Sequence, residues 1–410
     1  MTTRKPFFHG WFVVASAFVI TFVGFGSAYT FSAFVAELEN TFGASRGEVS
    51  LVFSLAGFLY FSLGALTGPL ADRWGARLLI LLGMLSVGVG LILAGRATTL
   101  SGLHLAYGLG MGVGIGCAYV PALGAVQRWF VRRRGFASGL AVSGIGVGTL
   151  AMPALASALI ASFGWREAYW TLGVLVIVVG AIAALPIEDD PNRRGLHPDG
   201  TPPTTTAPAA SRSGLSVREA VRTRPFAELY IACLIGSLGV FVPFVHLLPF
   251  ALDHGICPTK AAWLLGTIGV GSTIGRFVMG GVADRMGRER FLVTMYLGMA
   301  VSLVIWALGV TPVLLMIFTL VFGLFYGGWV AVLPAVVADR FGSRHVSGII
   351  GALYTSVALG TLIGPSSVGF IYDVSHSYTA SITASALSSA VAAVIIMLAA
   401  KRSVVGRRAS

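Results

Sequence analysis

Charge is scarce in this chain. Of its 410 residues only 11% are Asp, Glu, Lys or Arg, against 56% hydrophobic, and a water-soluble body of that length needs roughly twice that charge to cover its surface. The shortage excludes a soluble enzyme or binding domain and leaves an integral membrane protein. Cysteine is nearly absent too. Cys117, Cys233 and Cys257 are scattered, without the paired spacing of a disulfide framework or a metal site. A phosphate-cradling Gly-Lys-Ser/Thr loop, a His-Glu-x-x-His pair and a nucleophile elbow are also missing. ATP-driven transport and membrane hydrolysis therefore have no machinery here, and the expectation is no enzyme, no cofactor and no metal. Acidic residues, 16 in all against 28 basic ones, stay out of the middle of every apolar run.

Apolar runs themselves are abundant, and a run of about 20 residues spans the hydrocarbon core as a helix. Twelve are expected, in two sets of six. The first set covers approximately 11–34, 49–71, 78–95, 100–126, 135–163 and 168–187. The second covers approximately 226–252, 261–283, 291–310, 312–338, 346–372 and 378–400. The predicted fold is thus all-α and integral to the membrane, with two pseudo-symmetric six-helix bundles. The first bundle is 1–187 and the second, with a short tail, is 225–410. Between them, 188–224 is rich in Pro, Thr, Ser and charge, so it reads as a flexible cytoplasmic linker with a short surface helix at Ser216 to Arg222. The first run has spanning length and no small-residue cleavage site, and is expected to be retained.

The net charge of +12 marks topology and not nucleic-acid binding. With loops assigned alternately to two sides, Arg73, Arg77, Arg128, Arg132 to Arg134, Arg285, Arg288, Arg340 and the tail fall on one side. Only Arg46, Arg96, Arg166 and Lys260 fall on the other. The positive-inside rule then puts both termini and the central loop in the cytoplasm, as for a plasma-membrane protein.

The two halves repeat one another. GPLADRWGAR at Gly68 to Arg77 is matched by GGVADRMGRER at Gly280 to Arg290, so that Asp284 stands 212 positions after Asp72. A second echo, PALGAVQR from Pro121 and PAVVADR from Pro334, keeps nearly the same spacing. Duplicated six-helix units imply a binding site at their interface near the midplane. Asp72 and Arg73, with Asp284 and Arg285, are candidates for a charge-and-dipole contact that closes one face, and Gly75 and Gly287 permit the tight turn.

Arg276 is the one charge set deep in an apolar run, LLGTIGVGSTIGRFVM, eight residues or about 12 Å of helix before Asp284. Its counterpart in the first half is Gly64, so the charge breaks the repeat. A buried cation costs about 2.5–3.5 kcal/mol on insertion scales. It is kept either for an anionic ligand or to bond carbonyls of a broken helix. The planar guanidinium suits a carboxylate, and with no second buried cation a monocarboxylate fits better than a dicarboxylate. Tyr119, in the fourth run, is either a hydrogen-bond partner for that ligand or a packed tyrosine. Tyr326 and Trp329 share a helical face and either wall a pocket for a short acyl chain or fill the core. Tyr29 and Tyr354 are weaker candidates of the same kind. His246, between Pro243 and Pro249, is either a proton site or a histidine bonded to a neighbouring helix.

The duplicated pattern of Gly, three residues, Asp, Arg, one residue, Gly resembles the signature of the major facilitator superfamily. Within it, HGWFV at His9 to Val13 and WFVRRRGFASGLAVSG at Trp129 to Gly144 resemble the monocarboxylate porters and the related oxalate:formate exchangers. The resemblance implies a secondary transporter in which the first, fourth, seventh and tenth helices line the cavity and the Asp-Arg turns lock one state. It also implies proton-coupled movement of a small monocarboxylate of the lactate or pyruvate type by alternating access, with an anion exchanger of the oxalate:formate kind as the alternative. The partners expected are the monocarboxylate anion, a proton and the bilayer, with no nucleic acid, and a monomer suffices. The animal porters carry an Asp four residues before the equivalent arginine and a Lys in the first helix. Here Ser272 occupies the former place and 11–34 has no lysine.

Overall fold

Inside a bilayer no water satisfies the backbone, so each spanning segment closes its own hydrogen bonds, as a helix does. The computed structural model describes residues 8–130, 134–189, 191–200, 214–342 and 345–408, while the side chains of Asp72, Arg73 and Asp284 lie outside the described set. Among the described residues regular structure is helical apart from one isolated bridge, Gly214 to Gly342. Among the described residues twelve helical segments are long and apolar enough to cross a membrane. The first six are Gly10–Phe42, Arg46–Gly68, Ala76–Gly95, Leu100–Trp129, Phe136–Phe163 and Trp165–Ala184. The last six are Arg224–Asp253, Pro258–Val278, Arg288–Ala307, Pro312–Phe341, Gly348–Ser375 and Thr379–Ala400. The chain is a multi-pass membrane protein of two six-helix bundles. An even number of described spans puts the start of the first and the end of the twelfth on one face, called here the terminal face.

Three spans depart from the simple rods expected, the fourth by a π-helical stretch at His104–Leu109. The first continues past Phe34 to Phe42 and is broken at Thr30, whose hydroxyl donates to the Ser27 carbonyl at 2.7 Å and competes with the helical ladder. The seventh is broken at Phe241, two residues before Pro243, because proline lacks an N–H and its ring crowds the carbonyl four residues back. Thr30 and Phe241 are 211 positions apart, one short of the 212 that separates the Asp-Arg turns. The breaks are therefore a shared feature of the duplicated unit.

The bundles meet along two seams, the second span against the eleventh and the fifth against the eighth. Within the second bundle the eighth span lies on the tenth so closely that Gly271 and Gly275 face the carbonyls of Leu320 and Leu324. Only a residue without Cβ fits there. This contact fixes the rotation of the helix that carries Arg276.

The start of the linker is held more firmly than its composition suggests. On the terminal face the Asp189 carboxylate accepts from the Ala76 backbone N–H at 2.9 Å and from Arg128 at 2.7 Å. Glu188 pairs with Arg194 at 2.7 Å, and this hydrogen-bonded guanidinium holds its carboxyl below the usual range. The Trp129 indole N–H donates to the Glu188 carbonyl at 2.7 Å. The first residues of the linker thus clamp the turn at Gly75 to the end of the fourth span. Gly75 and Gly287 take φ of 86° each, a left-handed conformation that suits glycine. The surface helix is shorter than expected, Val217–Ala220, and opens with a Ser216–Glu219 capping box.

Gly275→Val should lower stability by about 3 kcal/mol or prevent folding, since overpacking against backbone cannot relax. Thermal unfolding of the detergent-solubilised protein, followed by size-exclusion chromatography, measures it.

Candidate functional site

Arg276 is 5% exposed, and all three guanidinium nitrogens are buried without a hydrogen-bond partner. A buried cation normally acquires an anion or several acceptors, because desolvation costs several kcal/mol. Among the described residues no carboxylate is one of its electrostatic neighbours. Those neighbours are tyrosines: Tyr326, Tyr119, Tyr29 and Tyr354. Tyr29 and Tyr119 come from the first and fourth spans, Tyr326 and Tyr354 from the tenth and eleventh. The cation therefore lies within electrostatic reach of tyrosines from both bundles.

One hydrogen bond closes this ring across the interface, between the Tyr29 and Tyr326 hydroxyls at 3.3 Å. Below it the Tyr29 ring stacks on Phe244 at 4.4 Å, and Phe244 meets Tyr326 edge-on at 5.2 Å. Tyr29 and Phe244 flank the helix breaks at Thr30 and Phe241, so the two interruptions bring an aromatic from each half face to face. Tyr119 packs against Phe25 at 5.1 Å, and Phe25 packs against Tyr60 at 5.6 Å. Tyr326 and Trp329 stack at 6.3 Å as their spacing predicts. The result is a buried cation with tyrosine hydroxyls in its electrostatic reach and aromatic rings packed around them.

Arg276, Tyr119 and Tyr326 are thus brought together, with Tyr29 and Tyr354 beside them. His246 is not among them. It is fully buried, its Nε2 lies 2.8 Å from the Pro365 carbonyl, and its Nδ1 lies 3.4 Å from the Tyr378 hydroxyl. Since a carbonyl only accepts, the proton is assigned to Nε2. Ser272, four residues before Arg276, is buried with an unpartnered hydroxyl. Of the Asp-Arg turns, Arg285 is exposed and the two glycines adopt the expected turn. Asp72, Arg73 and Asp284 lie outside the described side chains. Sequence reasoning missed Tyr60, whose buried hydroxyl is unpartnered, and Phe244. For Phe244 the signal was present in the proline that breaks its helix.

Twelve spans, duplicated bundles and a polar centre at their interface are the organisation of a membrane transporter. The family model described as Major Facilitator Superfamily matches residues 17–257 and 229–410. The chain belongs to this superfamily and, within it, to the family of the monocarboxylate transporters. It is 30% identical to monocarboxylate transporter 11 of Mus musculus over 385 residues, 91% of this chain and 83% of that one. It is 29% identical to monocarboxylate transporter 12 of Rattus norvegicus over 395 residues, 90% and 81% of the two chains. Monocarboxylate transporter 13 of Bos taurus matches at 29% identity, over 95% of this chain and 89% of its own length. A bacterial homologue of the human lysosomal transporter Spinster shares the fold at a TM-score of 0.71 and 17% identity, covering 97% of this chain and 98% of its own. Family membership makes the protein a transporter and not an enzyme.

Removing the unpaired charge should stabilise the resting protein. Arg276→Met, similar in volume and without a desolvated cation, is expected to raise the unfolding temperature, corresponding to about 1–3 kcal/mol. Differential scanning fluorimetry of wild type and variant checks the sign.

Proposed function

We propose that the protein moves a small monocarboxylate of the lactate or pyruvate type, together with a proton, across the plasma membrane by alternating access. The observation that carries the reading is the Arg276 guanidinium, buried with three unpartnered nitrogens among tyrosines of both bundles. The substrate carboxylate would take the two parallel donors of the guanidinium fork. Tyr119 and Tyr326 would donate to its remaining lone pairs, and Trp329 and Phe244 would face the acyl chain. A single cation neutralises a single carboxylate, which favours a monoanion. The names of the similar transporters support the same class.

In this reading residues 1–187 and 225–410 rock about the site, joined by 188–224. Loops rich in arginine on the terminal face support a cytoplasmic assignment for both termini. Asp72, Arg73 and Gly75, with Asp284, Arg285 and Gly287, would close that face. A proton accompanying the monoanion makes the step electroneutral and avoids about 2.3 kcal/mol per 100 mV. Ser272 leaves no carboxylate beside the arginine to carry it. His246, the fully buried histidine of the spans, is the proposed carrier.

Uptake of labelled L-lactate into proteoliposomes tests the whole. An inward proton gradient should raise the initial rate several-fold, and Arg276→Ala and Arg276→Lys should reduce uptake to background while the protein still inserts. Uptake that depends on an internal counter-anion and ignores the gradient would identify an exchanger of the oxalate:formate kind. Absence of uptake for every monocarboxylate tried would overturn the reading.

The tyrosines make a graded prediction. Tyr119→Phe and Tyr326→Phe each remove one hydroxyl and should raise KM about tenfold with little change in maximal rate, as loss of a hydrogen bond to a charged group costs about 1.5–3 kcal/mol. His246→Gln should instead flatten the dependence of the rate on external pH.

A further inference from the structure

The face opposite the termini carries a second charge cluster, centred on Arg46 at the start of the second span. Its side chain is 10% exposed and spans both bundles. Nε donates to Glu39 at 2.7 Å, within its own bundle. Nη1 donates to Asp253 at 2.6 Å and to the Tyr378 hydroxyl at 2.9 Å, both in the other bundle. The guanidinium carbon also lies 4.3 Å from the centre of the Tyr372 ring. Asp373, again from the other bundle, adds a different contact. Its two carboxylate oxygens accept from the backbone N–H groups of Arg46 and Gly47, each at 2.9 Å. Those are first-turn donors of a helix, which have no partner in their own ladder and favour an anion. Gly47 and Gly369 let the two backbones approach at the same level.

We infer that Arg46 and Asp373 form a two-part latch that holds the bundles together on this face, and that its release is a required step of opening there. The inference rests on the alternating-access reading above. The contacts suit a reversible device, because most separated groups keep a partner. Arg46 retains Glu39 when the bundles part. Asp253 retains the Tyr372 hydroxyl, which donates to it at 3.0 Å from its own bundle. Asp373 alone surrenders both its cross-bundle bonds. The opened arrangement therefore exposes Asp373 and the helix start to water without leaving a buried charge unpaired, and the two arrangements stay close in free energy.

The test measures the width of this mouth directly. Thr98 and Thr311 are exposed on the same face, one in each bundle. Spin labels are placed by Thr98→Cys and Thr311→Cys in a protein carrying Cys117→Ala, Cys233→Ala and Cys257→Ala. Double electron–electron resonance in proteoliposomes then gives the distance distribution without any substrate. Arg46→Gln and Asp373→Asn should each increase the long-distance population at least threefold. Glu39→Gln, which cuts a bond inside one bundle, should not. Unchanged distances in both latch variants, with thermal unfolding intact, would overturn the latch. A shift in only one of them would remove its two-part character, and an equal shift in Glu39→Gln would reduce it to a general charge effect. Because no substrate is present, failed lactate uptake removes the monocarboxylate reading and leaves the latch standing, whereas unchanged distances with intact uptake remove the latch alone.

Discussion

The desolvated guanidinium of Arg276 is the constraint on which the centre of the molecule depends. Nothing in the fold of the eighth span requires it, since the corresponding residue of the first half is Gly64. Its burial opposes folding, and the surrounding hydroxyls offset that only in part, because none hydrogen-bonds to it. What keeps it in place is packing. The eighth span lies against the tenth through Gly271 and Gly275, so the side chain cannot swing out by rotating its helix. Eight residues of helix also separate it from the terminal-face turn, too far for easy snorkelling. In the proposed reading, an anion entering the site would meet donors already oriented and already stripped of water, so less of its binding energy would be spent on reorganisation.

Duplication explains the scaffold, and departures from it explain the chemistry. The helix breaks at Thr30 and Phe241, and the left-handed glycines at Gly75 and Gly287, recur at or near the repeat spacing. These are mechanical features, useful in both halves. Arg276 and the latch at Arg46 have no such echo. In the proposed reading, the pairing of a symmetric frame with single-copy charges would let two similar bundles rock about one site.

Much of this was legible in the sequence, for physical reasons. Span number follows from the length of apolar helix a bilayer demands, and Arg276 stands out because charge in such a run is expensive. Tyr119 and Tyr326 were readable as candidates, but their meeting with Arg276 is a tertiary fact that spacing along one helix cannot supply. Tyr60 and Phe244 were hidden because aromatic residues are common in membrane helices and carry little positional information. Arg46 was visible only as a minority charge on the side opposite the termini. Its bonds to Asp253 and Asp373 join residues more than 200 positions apart. The start of the linker differs for the opposite reason: composition predicts flexibility across 188–224, yet Glu188 and Asp189 find fixed donors in Arg194, Arg128 and Ala76.

The two charged centres differ in how their partners are arranged, and the difference matches different tasks. Around Arg46 the acceptors are carboxylates divided between the bundles, so charge is balanced in either arrangement and the contact exchanges without a large penalty. Around Arg276 the neighbours are neutral hydroxyls, so charge balance has to arrive from outside. A carboxylate at that position would have satisfied the guanidinium permanently and competed with any anion for the same donors. Ser272, small and uncharged on the preceding turn, leaves that competition out. The centre therefore stays short of one negative charge while the opposite face is closed by residues that supply their own, an asymmetry that fits the proposed carriage of a single anion.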